Sequence, residues 1–371
     1  MSKIRLIFAD QDTVYMDYFL NYIRSSKEAE KFEIKMFSSK ENLEKYLIDK
    51  PIADILLISS SFQFDFPPTH QAITIYLQNE IILDSQDDSF TIYKYQPLNQ
   101  LISQILSIYY EHSQKISKIS KSIRTKTIAV YSAAGGTGKT TVAVQLCRQL
   151  ALQNQKVFYL NLELFHSTSL YFSSPEDQPS SQILYYLKAN PNQLLGKIES
   201  LKKRDTQTNV EYFDMAVSAE EMLEITAEEV ERLLDGLVQT ENYDYIILDL
   251  DSTTHMRIKA ALKYSQHIIW VLNPDVQSFL KTATMIEEYG MIFDEEEDIS
   301  SKSIYVLNRY SGKMKDEFKQ FPVHIQSFLP FVEQWREYTS RYQINVGTFI
   351  PDNLLTLIKQ EDEVRGASYA R

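Results

Sequence analysis

Ser132-Ala133-Ala134-Gly135-Gly136-Thr137-Gly138-Lys139-Thr140-Thr141 is the stretch on which the reading of this chain turns. An apolar run, Thr127 to Tyr131, leads into it, and a helical pattern, Val142 to Leu152, leads out. Three of the chain's nine glycines fall between positions 135 and 138. Without Cβ atoms there, backbone N–H groups can close around phosphate oxygens. The start of the following helix adds unpaired donors and a positive dipole end. Strand, glycine loop, Gly-Lys-Thr and helix together make a P-loop, with Gly135, Gly136, Thr137, Gly138, Lys139, Thr140 and Thr141 as the nucleotide cradle. Lys139 is expected to neutralise β- and γ-phosphate charge, and Thr140 to offer its hydroxyl to Mg2+.

Composition bounds the rest. A chain of 371 residues suggests two or three domains. A formal charge of −12 argues against a general nucleic-acid binder, which needs a basic field. Cys147 is the single cysteine, which excludes an internal disulfide and Cys-ligated iron–sulfur clusters. It shares a helical stripe with Ala143, Leu146 and Leu150, so burial is expected. The six histidines lack ligand spacing. No signal peptide and no apolar run of membrane-spanning length is visible, so a soluble, cytoplasmic protein without a transmembrane segment is expected.

Residues 1–112 read as a first α/β domain. Strands are expected at Lys3–Ala9, Phe32–Phe37, Asp54–Ile58, Ile73–Leu77 and Phe90–Tyr93, with helices at Val14–Ile23, Glu41–Ile48 and Leu98–Tyr110. Pro67-Pro68 marks a loop. The order resembles a response-regulator receiver domain. Asp10 and Asp12 match the receiver's acidic metal-holding pair, although a helix cap explains them equally well. The phosphoacceptor aspartate is replaced by Ser59, and the lysine-proline pair is stretched to Lys94-Tyr95-Gln96-Pro97. A serine cannot form the acyl phosphate, so an atypical receiver-like docking domain is expected. Residues 113–126 form a basic, serine-rich linker with Ile116, Ile119 and Ile123 at helical spacing. It reads as a solvated connector that extends the preceding helix.

Residues 127–371 form the P-loop domain. Lys156 to Glu163 is a strand with polar residues at its end. Ser218 to Glu221 and Thr226 to Glu229 are capping-box patterns opening helices. Tyr245-Ile246-Ile247-Leu248-Asp249 reads as a buried strand delivering one carboxylate at its C-terminal edge, where Mg2+ sits in such sheets. Further strands are expected at His267–Leu272, Ser303–Leu307 and His324–Leu329. Asn308 and Arg309 follow the second of these and are candidates for the nucleotide base. The acidic run 294–298 reads as a solvated loop. Asn353 to Glu363 is expected to be a helix packed on the domain; Glu361, Asp362 and Glu363 argue against membrane attachment.

Two glycines directly before Thr-Gly-Lys-Thr-Thr resemble the deviant Walker A motif of the MinD/ParA ATPase superfamily. Asp249 matches that family's Walker B aspartate, Asn308 its strand-end asparagine, and Asn161-Leu162-Glu163 stands where it commonly carries Asp-x-Asp. A receiver-like domain in front is similar to the TadZ/CpaE branch, linked to Flp-type pilus assembly and placement. The resemblance implies an α/β fold: a flavodoxin-like receiver domain, then a P-loop NTPase domain with a mostly parallel sheet. It implies ATP and Mg2+ as ligands, with Lys139, Glu163 and Asp249 as the catalytic set and Thr140 and Asp249 as the Mg2+ ligands. It implies a homodimer whose partners are a pilus secretion ATPase and associated membrane proteins, peripheral to the membrane or pole through those partners.

The chain departs from the family in three places, one of them after Asp249, where Leu250-Asp251-Ser252-Thr253 stands in place of a proline-rich switch. Ala134 stands where the signature lysine reaches across an ATP sandwich dimer, and Asn161 removes one acidic charge. ATP binding with slow hydrolysis is therefore expected, in a positioning or scaffold protein for a pilus or secretion machine. The alternatives are a ParA-type partition or other cargo-positioning ATPase, a non-hydrolysing ATP-bound adaptor, and a bacterial tyrosine kinase of the same superfamily. Nucleic-acid binding is disfavoured by the overall acidity, and the kinase by the lone Tyr369 near the C-terminus.

Overall fold

The structure, a computed structural model, describes residues 3–26, 29, 31–48, 53–60, 62, 72–80, 90–117, 125–175, 179–215, 219–293, 299–333 and 349–366. The Pro67-Pro68 loop, linker residues 118–124, Ser218, the acidic run 294–298 and Tyr369 lie outside the described residues, as do the side chains of Glu361, Asp362 and Glu363. The chain divides into two units, one of Met1–Lys121 with Asn190–Ser200, the other of Ser122–Ala189 with Leu201–Arg371.

The first unit is built on strands β1 (Ile4–Ala9), β2 (Phe32–Phe37), β3 (Ile55–Ser59), β4 (Ile73–Gln78) and β5 (Phe90–Tyr93). They hydrogen-bond in the order β2-β1-β3-β4-β5, every pair parallel. This is the flavodoxin-like order. Helices run over Thr13–Ser25, Lys40–Ile48 and Leu98–Ser117. The last continues beyond the expected Tyr110, so the linker's first residues are helical. Central β3 is buried throughout, whereas β4 alternates, with Ile73, Ile75 and Leu77 inward. Asp12 caps the first helix, accepting the Tyr15 N–H at 3.0 Å, which satisfies a donor the helix start leaves orphaned. The Lys94 ammonium pairs with Asp10 at 2.7 Å and reaches Asp12 at 3.6 Å. Ser59 is buried at the end of β3. The helix Leu194–Leu201 places Glu199 against Lys31, and both lie in this unit.

The second unit contains β6 (Lys126–Tyr131), β7 (Val157–Asn161), β8 (Lys203–Arg204), β9 (Glu211–Tyr212), β10 (Tyr245–Asp249), β11 (His267–Leu272), β12 (Ser303–Tyr310) and β13 (Ser327–Pro330). Their order is β13-β12-β11-β6-β10-β7-β9-β8. All neighbours are parallel except the β8–β9 pair. A parallel sheet is covered on both faces, which is why β7, β10 and β11 read as continuous apolar runs and are buried throughout. The helix Lys139–Leu152 turns Val142, Ala143, Leu146, Cys147 and Leu150 into the core. Burial pushes the Cys147 thiol well above its usual pKa. Thr226 and Glu229 form the expected capping box at the start of the helix Ala227–Gln239.

The C-terminal helix Asp352–Gly366 joins the same core. Leu354, Leu355 and Ile358 are buried in one cluster with Ile128, Val142 and Tyr245. Its apolar face is therefore consumed by packing. Ile358→Ala should lower stability by about 3 kcal/mol, read from urea unfolding, because a fully buried side chain leaves a cavity. A helix lying free in solution would show a change near zero.

Candidate functional site

Register brings the site together. Asp249 pairs with Val130 on one side and with Asn161 on the other, so β6, β10 and β7 end side by side. The loop after β6 is the P-loop. Gly136 and Gly138 take φ of +70° and +92°, conformations that favour glycine. Gly138 has a second reason: an added Cβ would lie 2.5 Å from Asn308 Nδ2. The Asn308 amide donates to the Thr137 carbonyl at 2.8 Å. Asn273 and Arg309 each donate to the Gly136 carbonyl at 3.3 Å. Side chains from the ends of β11 and β12 thus brace the loop. Arg309 itself holds a left-handed φ of +54°, a conformation that costs a non-glycine residue energy. The neighbours shown for Asn308 and Arg309 are loop carbonyls, and their approach to a base is a proposal.

Lys139 is buried and donates to Ser252 Oγ at 2.8 Å; Ser252 in turn donates to the Ala134 carbonyl at 2.8 Å. The residue that replaces the signature lysine therefore contributes its backbone to the resting place of Lys139. Thr140 Oγ1 donates to Glu163 Oε2 at 3.4 Å. Asn161 Oδ1 accepts the Glu163 N–H at 2.8 Å, and its amide donates to Glu163 at 3.4 Å and to the Tyr159 hydroxyl at 3.1 Å. That hydroxyl donates to Asp249 Oδ2 at 2.8 Å.

Asp249 has no exposed surface, and burial, with the nearby Glu163 charge, raises its pKa to about 8. Tyr159, Thr140 and Lys139 pull the other way. Burial also raises Glu163, against the Lys139 charge. Among the described residues, Asp249 Oδ1 and the Thr137 hydroxyl are buried without a hydrogen-bond partner. A buried carboxylate oxygen left without a donor fits a cation ligand. The residues present therefore suit a Mg-nucleotide, which would take Asp249 and Thr140 as its protein ligands.

Sequence reading missed Tyr159, Ser252, Asn273, Asp251 and Arg257. A tyrosine inside a buried strand was the available signal for Tyr159, since a buried hydroxyl needs a partner.

Residues 125–297 match the family model described as an AAA domain. A protein of Methanocaldococcus jannaschii described only as uncharacterized is 24% identical over 200 residues, which cover 51% of this chain and 74% of that protein. Among solved structures, the Pyrococcus furiosus cell division ATPase MinD is 19% identical with a TM-score of 0.46, covering 62% of this chain and 99% of its own. MinD of Pyrococcus horikoshii, solved with Mg-ADP, is 21% identical with a TM-score of 0.44, covering 66% and 98%. A ParA family ATPase of Chlorobium tepidum is 20% identical with a TM-score of 0.48, covering 56% and 85%. The matched segment, with its glycine loop between β6 and the helix Lys139–Leu152, has the strand–loop–helix build of a P-loop domain. The fold is α/β with mostly parallel sheets. Among the described residues, no helix is long and apolar enough to cross a membrane.

Two expectations follow from this geometry. Gly138→Ala should destabilise the protein by about 1–3 kcal/mol in denaturant unfolding, from the left-handed strain alone. The clash with Asn308 should also weaken nucleotide binding. The second concerns pH. In the nucleotide-free protein, folded Asp249 holds its proton up to a pH of about 8, whereas the unfolded chain releases it near 4. Across that window the folded state binds more protons, so this group's contribution falls as pH rises and is lost above 8. Asp249→Asn should therefore gain stability relative to wild type as pH rises through the window. A pH-independent difference in urea midpoint would contradict this.

Proposed function

We propose that this chain is an ATP-binding, slowly hydrolysing protein of the MinD/ParA type that positions or scaffolds a cargo. One observation carries the reading. Lys139, Thr140, Glu163 and Asp249 converge at the C-terminal edge of a parallel sheet, beside a glycine loop braced from outside. On this reading Lys139 leaves Ser252 for the phosphates. Gly135, Gly136, Thr137, Gly138 and Thr141 complete the cradle, and Asn308 and Arg309 border the base. Bound Mg2+ would neutralise developing phosphate charge. Glu163 would orient the attacking water.

Ala134 supplies no cation for a partner's phosphates, and Asn161 supplies no charge beside Glu163; both favour holding nucleotide over turning it over. The alternative of a non-hydrolysing adaptor rests on the same two residues. The first unit would serve as a receiver-like docking domain. Lys94 already neutralises its acidic pair, and Ser59 replaces the phosphoacceptor. The proposed finer role is assembly or placement of a pilus or secretion machine, as a homodimer that meets a secretion ATPase and membrane components. It rests on the order of the two domains and their motifs.

Calorimetric titration with Mg-ATP should show binding by wild type and at least a tenfold loss in Lys139→Ala, the worth of a charge-assisted contact. Equal affinity would sink the site. Affinity purification beside Lys139→Ala should recover a secretion ATPase. Recovery of DNA with partition proteins would favour ParA-type partition instead.

A further inference from the structure

Glu163 is the group on which hydrolysis depends in the reading above, yet it lies two residues past the end of β7, in a loop. A glutamate on a loop has a longer reach and more rotamers than the shorter aspartate, so its backbone must be held if the carboxylate is to orient a water. The structure shows what holds it. The Leu164 N–H donates to Asp251 Oδ2 at 3.0 Å. The Leu162 carbonyl accepts from Arg257 Nε at 2.9 Å. Asp251 and Arg257 are themselves ion-paired, through the same Asp251 oxygen. Arg257 Nη1 also donates to the Met222 carbonyl at 3.4 Å, and its side chain is almost wholly buried.

The residues on both sides of Glu163 are thus gripped by one ion pair from beyond β10, its Arg257 buried and its Asp251 partly so. We infer that Asp251 and Arg257 are positioning residues, a clamp that fixes the Glu163 loop for water activation. The inference rests on the proposed role of Glu163.

The clamp has a second consequence. Asp251 is followed by Ser252, which holds Lys139. One short turn after β10 therefore touches both the phosphate-binding lysine and the hydrolytic loop.

The test uses the full chain, with Asp251→Asn and with Asp251→Ala joined to Arg257→Met. The double replacement removes both charges at once, so neither is stranded in the core. Three quantities are read: Mg-ATP affinity, single-turnover hydrolysis, and amide exchange of residues 162–166. Exchange of the helix Lys139–Leu152 serves as the check on folding; if the double replacement fails it, Asp251→Asn carries the comparison.

Affinity should stay within about threefold. Exchange at 162–166 should speed up about tenfold or more, and hydrolysis should fall about a hundredfold. Adding Glu163→Gln should lower hydrolysis no further, because clamp and carboxylate act as one unit. Unchanged exchange at 162–166, or losses that multiply with Glu163→Gln, would overturn the clamp. If wild type turns over no faster than Lys139→Ala, the role of Glu163 falls. The exchange result then decides alone whether the pair holds the loop.

Discussion

A carboxylate with no exposed surface stands at the meeting of three strand ends, and most of the site is an answer to its cost. Ionised Asp249 would be expensive to bury alone. The fold supplies a neutral donor, the Tyr159 hydroxyl, to Oδ2 and, among the described residues, leaves Oδ1 without a partner. That asymmetry pins the carboxylate's orientation while keeping one oxygen free for a cation. It also gives the buried hydroxyl of Tyr159 in β7 its partner. The Asn161 amide reaches that hydroxyl and Glu163 alike, so losing an aspartate at this position exchanges charge for a hydrogen-bonded link between the two acids.

The same economy runs through the P-loop. In the family this chain resembles, the residue before the paired glycines is a lysine aimed at a second subunit. Here it is Ala134, buried, whose carbonyl accepts from Ser252. Lys139 therefore rests on Ser252, a partner that phosphate would displace on the proposed reading. Arg309, braced on Gly136 with a left-handed backbone, is a second cation at the loop. Positive charge at this mouth comes from within the chain, from Lys139 and Arg309.

Much of this architecture was legible. β11 falls where an unbroken apolar run places a buried parallel strand, and β2 and β5 fall where shorter, partly polar stretches of β-prone residues place them. The glycine loop and Asp249 could be read because their chemistry is contiguous or ends a strand. β8 and β9 could not: at two residues each they are too short to carry a period, and pairing alone defines them. Asp12 illustrates an ambiguity that only geometry resolves, since one carboxylate pattern serves a cap or a metal and here it caps the helix.

The clamp on Glu163 was hidden for a different reason. Asp251 and Arg257 are six positions apart, a spacing that fits no helical ion pair, and nothing in the sequence marks Arg257 as buried. Their partners, Leu162 and Leu164, take part through backbone atoms, which any residue possesses. Side-chain identity therefore carries no trace of the contact. Sequence motifs name the groups that touch phosphate, whereas the groups that hold those in place are fixed by register. Here β7 and β10 pair with Asn161 beside Asp249, and a shift of one residue would turn both ends to the opposite face. Hydrolysis, on the proposed reading, thus depends on strand pairing as strictly as on the P-loop.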